Sequence, residues 1–301
     1  MDRLQRLIKV PDAFIERLSP IQEQIFKKLL AKLAALKQVN GMIVPSLENL
    51  KVIDSIREFI HDELIKSDYS SAVRDYAKEF DKQAGLNAAY YTKQFNSEFS
   101  TVLADAAVKQ TKKAVVQALI TDSVQVNFLT PLENTLSVAV QSGAGFSDTI
   151  SAIRDFVEGN SDVDGAILKY SKQIAHDAFA NADRAYNSAV SDELEVEWFL
   201  WAGGQIDTSR CFCIERHGKY YYYKEIEAWG RGEDVGECGF PWAGMNRATD
   251  AQTIFNYAGG YGCLHTVAGV SIFSVPKEDV MRNVDNGNYQ LSPVEAEFFG
   301  V

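Results

Sequence analysis

Across residues 1–190 the apolar side chains recur every three or four positions, and that spacing commits the stretch to amphipathic helices. Ile21, Ile25, Phe26, Leu29, Leu30, Leu33 and Leu36 form one stripe. Ser19-Pro20 with Gln22 predicts its capped start, and Asn40-Gly41 its end. Leu47, Leu50, Ile53, Ile56, Ile60 and Leu64 mark a second helix, and Tyr69, Ala72, Val73, Tyr76 and Phe80 a third. Ala88, Tyr91, Phe95, Phe99, Val102, Leu103 and Ala106 open a long fourth, expected to run to Ile120. Thr130-Pro131-Leu132-Glu133 reads as a capping box, and Gly143-Ala144-Gly145 breaks the pattern. It resumes at Ile150, Ile153, Phe156 and Val157, stops at Gly159-Asn160, and ends in a helix carrying Ile167, Tyr170, Ile174, Ala178, Ala182, Tyr186 and Ala189. Nearly every stripe faces a polar side, so the helices are expected to pack as a bundle or layered array, with the aromatic stripes as core.

The texture changes near Ser191. Residues 195–201 alternate like a strand, 219–223 resemble one arm of a hairpin after His217-Gly218, glycine becomes frequent, and 267–275 read as a further strand. The predicted fold class is therefore α+β: a mainly α-helical N-terminal region (1–190), a small loop-rich α+β C-terminal module (191–280), and a tail (281–301). The apolar end of that tail, Phe298-Phe299-Gly300-Val301, fits docking on the body or on a neighbouring molecule equally well. No repeat of fixed period is present.

Hydrophobic residues at 46% and charged residues at 24% suit a globular chain of 301 residues. No uncharged apolar run reaches the roughly eighteen residues of a membrane span. The first residues carry no apolar core of a secretory signal, so synthesis and assembly in a cytoplasm are expected. A formal charge of −11 argues against non-specific nucleic-acid binding over the whole surface. The charge is uneven. Residues 1–40 hold eight bases (Arg3, Arg6, Lys9, Arg17, Lys27, Lys28, Lys32, Lys37) against four acids, whereas 191–240 hold eleven acids against five bases. A basic end on an acidic body reads either as a docking element for an acidic partner or DNA, or as a solvated amphipathic face.

All four cysteines fall in the last third: Cys211, Cys213, Cys238 and Cys263. In a reducing compartment such a cluster points to metal or to plain burial. Cys211-Phe212-Cys213 and Cys263-Leu264-His265 are two i, i+2 pairs, which on strands would put each pair on one face. Side by side, Cys211, Cys213, Cys263 and His265 would make a closed, structural zinc set, with His217 and Cys238 as further candidates. Buried, reduced cysteines are the alternative. A nucleophilic cysteine would need a base and an orienting group, and no orienting carboxylate is evident beside Cys263 and His265. Asp207-Thr208-Ser209-Arg210 suits a tight turn that an Asp207–Arg210 pair would brace. The i, i+2 acids Glu195/Glu197 and Glu295/Glu297 read as solvated. Gly259-Gly260-Tyr261-Gly262 lacks the spacing of a phosphate cradle and reads as a turn of close backbone approach.

Taken in order, these elements carry a resemblance. It begins at Asn181 with the helix bearing Arg184 and Asn187, and continues through Trp198-Phe199-Leu200-Trp201, Asp207-Thr208-Ser209-Arg210-Cys211-Phe212-Cys213 and Arg216-His217-Gly218-Lys219. Glu225-Ile226-Glu227-Ala228-Trp229 follows, and Gly259-Gly260-Tyr261-Gly262-Cys263-Leu264-His265 closes it. Residues 181–275 thus resemble the phage Mu F-like minor head, or head-morphogenesis, protein family. That family typically shows D-x-x-R followed by a cysteine, then a glycine-bearing hairpin, then C-R-C or C-R-H; here Leu264 stands where arginine is usual. The resemblance makes Asp207, Arg210, Gly218 and Gly260 the structural motif positions. It implies a minor capsid component of few copies, located in the virion head or portal region after assembly in the host cytoplasm. Portal protein and capsid protein are the implied partners, packaged DNA and a second copy of the chain further ones, and the implied role is structural, not enzymatic. Two alternatives from other classes are an enzyme in the C-terminal module (ADP-ribosyltransferase-like or nuclease) and a DNA-binding accessory protein acting through its basic N-terminal helices.

Overall fold

The computed structural model describes residues 2–66, 68–122 and 124–301. In chain order the elements are α1 (Arg6–Glu16), α2 (Leu18–Leu33), β1 (Gln38–Val39), β2 (Met42–Ile43), α3 (Leu47–Lys66), α4 (Asp68–Phe95), α5 (Val102–Gln117), α6 (Thr130–Ser142), α7 (Phe146–Glu158) and α8 (Ala166–Glu193). Then come β3 (Trp198–Gly203), α9 (Cys211–Arg216), β4 (Tyr220–Tyr222), α10 (Tyr223–Gly230), α11 (Ile254–Tyr257), β5 (His265–Val270), α12 (Lys277–Asp285) and α13 (Pro293–Phe299). The fold is α+β, helical first and mixed in its last third. No helix among the described residues is long and apolar enough to cross a membrane. The chain divides into two compact units: Met1–Lys9, Glu79–Lys112 and His176–Val301 form one, Val10–Lys78 and Lys113–Ala175 the other. These units join segments from both sides of residue 190 and keep the tail with the module.

The Val10–Lys78 and Lys113–Ala175 unit is built from the predicted stripes. Ile21, Ile25, Phe26, Leu29 and Leu33 of α2 are buried, as are Ile53, Ile56, Ile60 and Leu64 of α3, Leu132, Leu136 and Val140 of α6, and Ile153 and Val157 of α7. Three local expectations are corrected here. Ser19-Pro20 lies inside the first turn of α2, whose N-cap position is Arg17 in helical conformation, so no free helix start exists for Ser19 to cap. Asn40-Gly41 does not end a helix. α2 stops at Leu33, and Asn40 and Gly41, both at positive φ (52° and 77°), form the turn of the β1–β2 hairpin, the pairing a type I′ turn demands. The Thr130 capping box is also absent. A π-helical turn, Gln125–Leu129, runs straight into α6, so the backbone amides there already have helical partners. Asn49, fully buried, ties the hairpin to α3 by accepting from Lys37 N and donating to the Lys37 and Val44 carbonyls.

The predicted third and fourth helices are divided elsewhere than expected. α4 runs unbroken to Phe95, Asn96 adopts φ 50°, and α5 starts at Val102. Asparagine is one of the few non-glycine residues that enters the left-handed region at small cost.

In the other unit a three-stranded antiparallel sheet, ordered β4-β3-β5, carries two cores. β3 alternates across it as strand geometry requires. Phe199 and Trp201 pack with Phe212, Ile226, Trp229, Trp242 and Val267, whereas Trp198 and Leu200 pack with Tyr222, Val270, Val275, Val280 and Phe299. The second core is where the tail goes. Phe299 is buried there, Lys277 Nζ donates to its carbonyl, and Arg282 of α12 pairs with Glu225 of α10 at 3.3 Å. The tail is therefore docked on the module itself.

β5 is tied to the helices by Tyr91, whose buried hydroxyl accepts from Gly269 N at 3.0 Å, lies 3.1 Å from Ser191 Oγ and donates to Asn187 O at 3.3 Å. Tyr91→Phe leaves the Gly269 amide without its acceptor, and we expect a loss of about 1–3 kcal/mol in stability. Chemical denaturation measures it; a change indistinguishable from zero would show that Tyr91 is not the tie.

Candidate metal centre

Helix α9 follows the 206–209 turn, in which Ser209 N donates to Ile206 O and Ile206 N donates to Ser209 Oγ, both at 2.8 Å. Arg210 then enters α9 in extended conformation. It does not brace the turn through Asp207 as expected. Its guanidinium reaches across to the glycine loop, donating to Gly259 O at 3.2 Å and to Tyr261 O.

Because Cys211-Phe212-Cys213 lies on a helix and not on a strand, its two thiols diverge by about 200° around the axis. The four-residue set is corrected accordingly. Cys211 turns outward and is disulfide-bonded to Cys238, across a Cα–Cα distance of 5.7 Å within the usual range for such a bond. Cys213 turns inward and is buried. Its Sγ lies 3.5 Å from Cys263 Sγ, and Cys263 Sγ lies 3.9 Å from His265 Nδ1. Potential ligand atoms of Cys213, Cys263 and His265 all fall within 4.8 Å of one another, so these three could hold a metal ion. Three of the four predicted ligands therefore converge.

His217, a further candidate in the sequence, is not in that set but supports it. Its Nδ1 lies 3.1 Å from His265 Nε2, on the ring edge away from the sulfurs. A ligating imidazole commonly uses its second nitrogen in this way. Partial burial and the neighbouring His265 ring lower the His217 pKa below the usual histidine range. The hydrogen bond shared by the two sulfurs, with help from His265 and Arg184, holds Cys263 well below the usual thiol range despite its burial. The same bond and burial push Cys213 up.

The loop carrying Cys263 and His265 is positioned by two arginines and two glycines. Arg184 of α8 is fully enclosed, donating Nε to Asn256 O at 2.7 Å and one terminal nitrogen to Cys263 O and His265 O at 3.0 and 2.9 Å. Gly259 has no room for a side chain: a Cβ there would overlap Cys213 Sγ and stand 2.9 Å from Cys263 Sγ. Gly260, at φ 98°, lets the backbone pass against the Gly244 carbonyl, which accepts from Tyr261 N at 2.9 Å, as the expectation of close approach required. Gly218, at φ 72°, turns the chain from α9 into β4 and donates to Trp201 O at 2.9 Å.

One residue of this arrangement, Arg184, is not singled out by spacing, and His217 enters only as a further metal candidate. Arg184 sits about eighty positions before the carbonyls it holds, and no local pattern connects them. His217 stands four residues after Cys213, and that i, i+4 relation would have placed both near one face had 211–216 been read as helix. Comparison with protein-family models, curated proteins and solved structures finds no match to the chain.

Two outcomes follow. Of the four cysteines, two should react with an alkylating reagent in denaturant without reductant, and four with it; four without reductant would remove the disulfide. Arg184→Met should cost about 3 kcal/mol or more, since three buried carbonyls lose a charged donor. Arg184→Lys should restore little of it, because a compact ammonium cannot reproduce the planar fork that reaches these carbonyls from two separate nitrogens. Denaturation midpoints read both.

Proposed function

We propose that this chain is a phage minor head, or head-morphogenesis, protein that acts by binding portal or capsid protein and supports head assembly or DNA delivery. The observation that carries this reading is convergence. The residues of the resemblance come together in one folded unit: Arg184 and Asn187 on α8, Arg210 before α9, Gly218 at the hairpin, Gly260 and Cys263 in the glycine loop, and His265 on β5. Arg184 and Arg210 bond the loop carbonyls directly, and Asn187 donates to Thr266 Oγ1 at 3.1 Å. A set of residues spread over more than eighty positions thus behaves as one structural signature.

Zinc is the ion that two thiolates and one imidazole in a buried site suit best. Its role in this reading is structural, clamping α9 to the start of β5. The DNA-binding alternative draws less support from the N-terminal bases. Arg3 is buried against Asn87 and Asn187, and Arg6, Arg17, Lys28 and Lys37 pair with Glu79, Asp75, Glu63 and Glu48.

The test is co-purification of the tagged chain with its phage's portal and capsid proteins, alongside its detection in purified particles. Recovery with portal or capsid is expected. Absence from particles, with neither partner recovered, would overturn the proposal.

A further inference from the structure

We infer that the metal centre is open: Cys213, Cys263 and His265 supply three ligands, and the fourth position faces a cleft that takes a small exogenous anion. This rests on the reading that a metal sits at these three residues.

Two of the three ligand–ligand edges match a tetrahedral ion closely, and the third, between Cys213 Sγ and His265, lies within 4.8 Å. Zinc–sulfur bonds of about 2.3 Å at a tetrahedral angle separate two sulfurs by about 3.8 Å, and a zinc–nitrogen bond of about 2.05 Å puts sulfur and nitrogen about 3.6 Å apart. The observed separations are 3.5 Å for the two sulfurs and 3.9 Å for Cys263 Sγ and His265 Nδ1. Each is within a few tenths of an ångström of the edge it would form. Gly259 keeps that geometry possible, because any side chain there would displace the sulfurs.

The fourth corner has no protein donor of the usual kind. Among the described residues no further histidine, cysteine or carboxylate atom joins the three. His217 is engaged with the far nitrogen of His265, and Cys211, the predicted fourth ligand, is bonded to Cys238. Three ligands with an open corner is the pattern of zinc sites that bind water or a further ligand, in contrast to closed structural sites.

The open corner has space in front of it. A cleft of about 290 Å³ is bordered by Cys213, Cys263 and His265 together with Thr208, Ser209 and Arg210. That volume lies at the small end of ligand pockets, which fits a ligand of a few heavy atoms. Its charge follows from the wall. Arg210 carries a guanidinium with more N–H donors than the two loop carbonyls occupy. The two thiolates offset the charge of a divalent ion, so the cation of the wall is Arg210, and it favours an anion of the carboxylate or inorganic oxyanion class.

The experiment loads the full chain, treated with reductant that is removed before loading and with the Cys211–Cys238 bond verified closed, with Co²⁺ alone and titrates it with sodium azide. One Co²⁺ per chain with sulfur-to-cobalt charge transfer is expected, and azide should shift the tetrahedral d–d bands saturably. Arg210→Gln should weaken azide about tenfold through loss of a charge-assisted contact; if that variant does not fold, the titration of the parent chain decides alone. Cobalt bound with no response to azide overturns the open site and leaves the structural zinc reading standing. No cobalt binding, or a Cys213–Cys263 disulfide found by mass spectrometry in reductant-treated protein, overturns the metal reading and this inference with it.

Discussion

The C-terminal architecture depends on a single buried guanidinium. Arg184, enclosed within the unit, donates to the carbonyls of Asn256, Cys263 and His265. A charge in that position is tolerable only because its donors are satisfied in a fixed planar fork. The carbonyls belong to the residues that bring Cys263 beside Cys213 and start β5 at His265, so strand, thiol pair and imidazole are positioned from one point. Burial lowers the Arg184 pKa, and the surrounding acidic groups and thiols oppose that shift.

A second constraint is the alternation of β3. With aromatic residues at both Trp198 and Phe199, and again at Trp201, neither face of the strand can be left to water. One face is covered by α9, α10 and the glycine-rich segment that holds Trp242, the other by α12 and α13. The metal-ligand candidates lie at the edge of the first core, and the tail closes the second. Site and tail are thereby consequences of one strand having two apolar sides.

The helical stripes were legible in advance because burial of an apolar face follows directly from residue spacing: Ile53, Ile56, Ile60 and Leu64 need no knowledge of their partners to be assigned to one side of a helix. Signals that mark helix ends were less decisive. Ser19-Pro20 and Thr130-Pro131 carry the composition of helix starts, yet the chain arrives at both already helical, and a cap has value only where amides lack partners. Asn40-Gly41 suits a helix end and a hairpin turn alike; the pairing of Val39 with Met42 decides between them.

The sequence by itself determined the α+β class, the apolar faces of the helices, the change of texture near residue 191 and the residue types from which a metal centre could be made. The tertiary structure alone decided which of those residues meet. Cys211 and Cys213 are separated by the helix that contains them, and Cys213 and Cys263 are joined across fifty positions by the folding of α9 onto the glycine loop. Local periodicity reports which side of an element is buried, whereas a ligand set is a relation between elements, set by long-range packing and by the arginine that holds it.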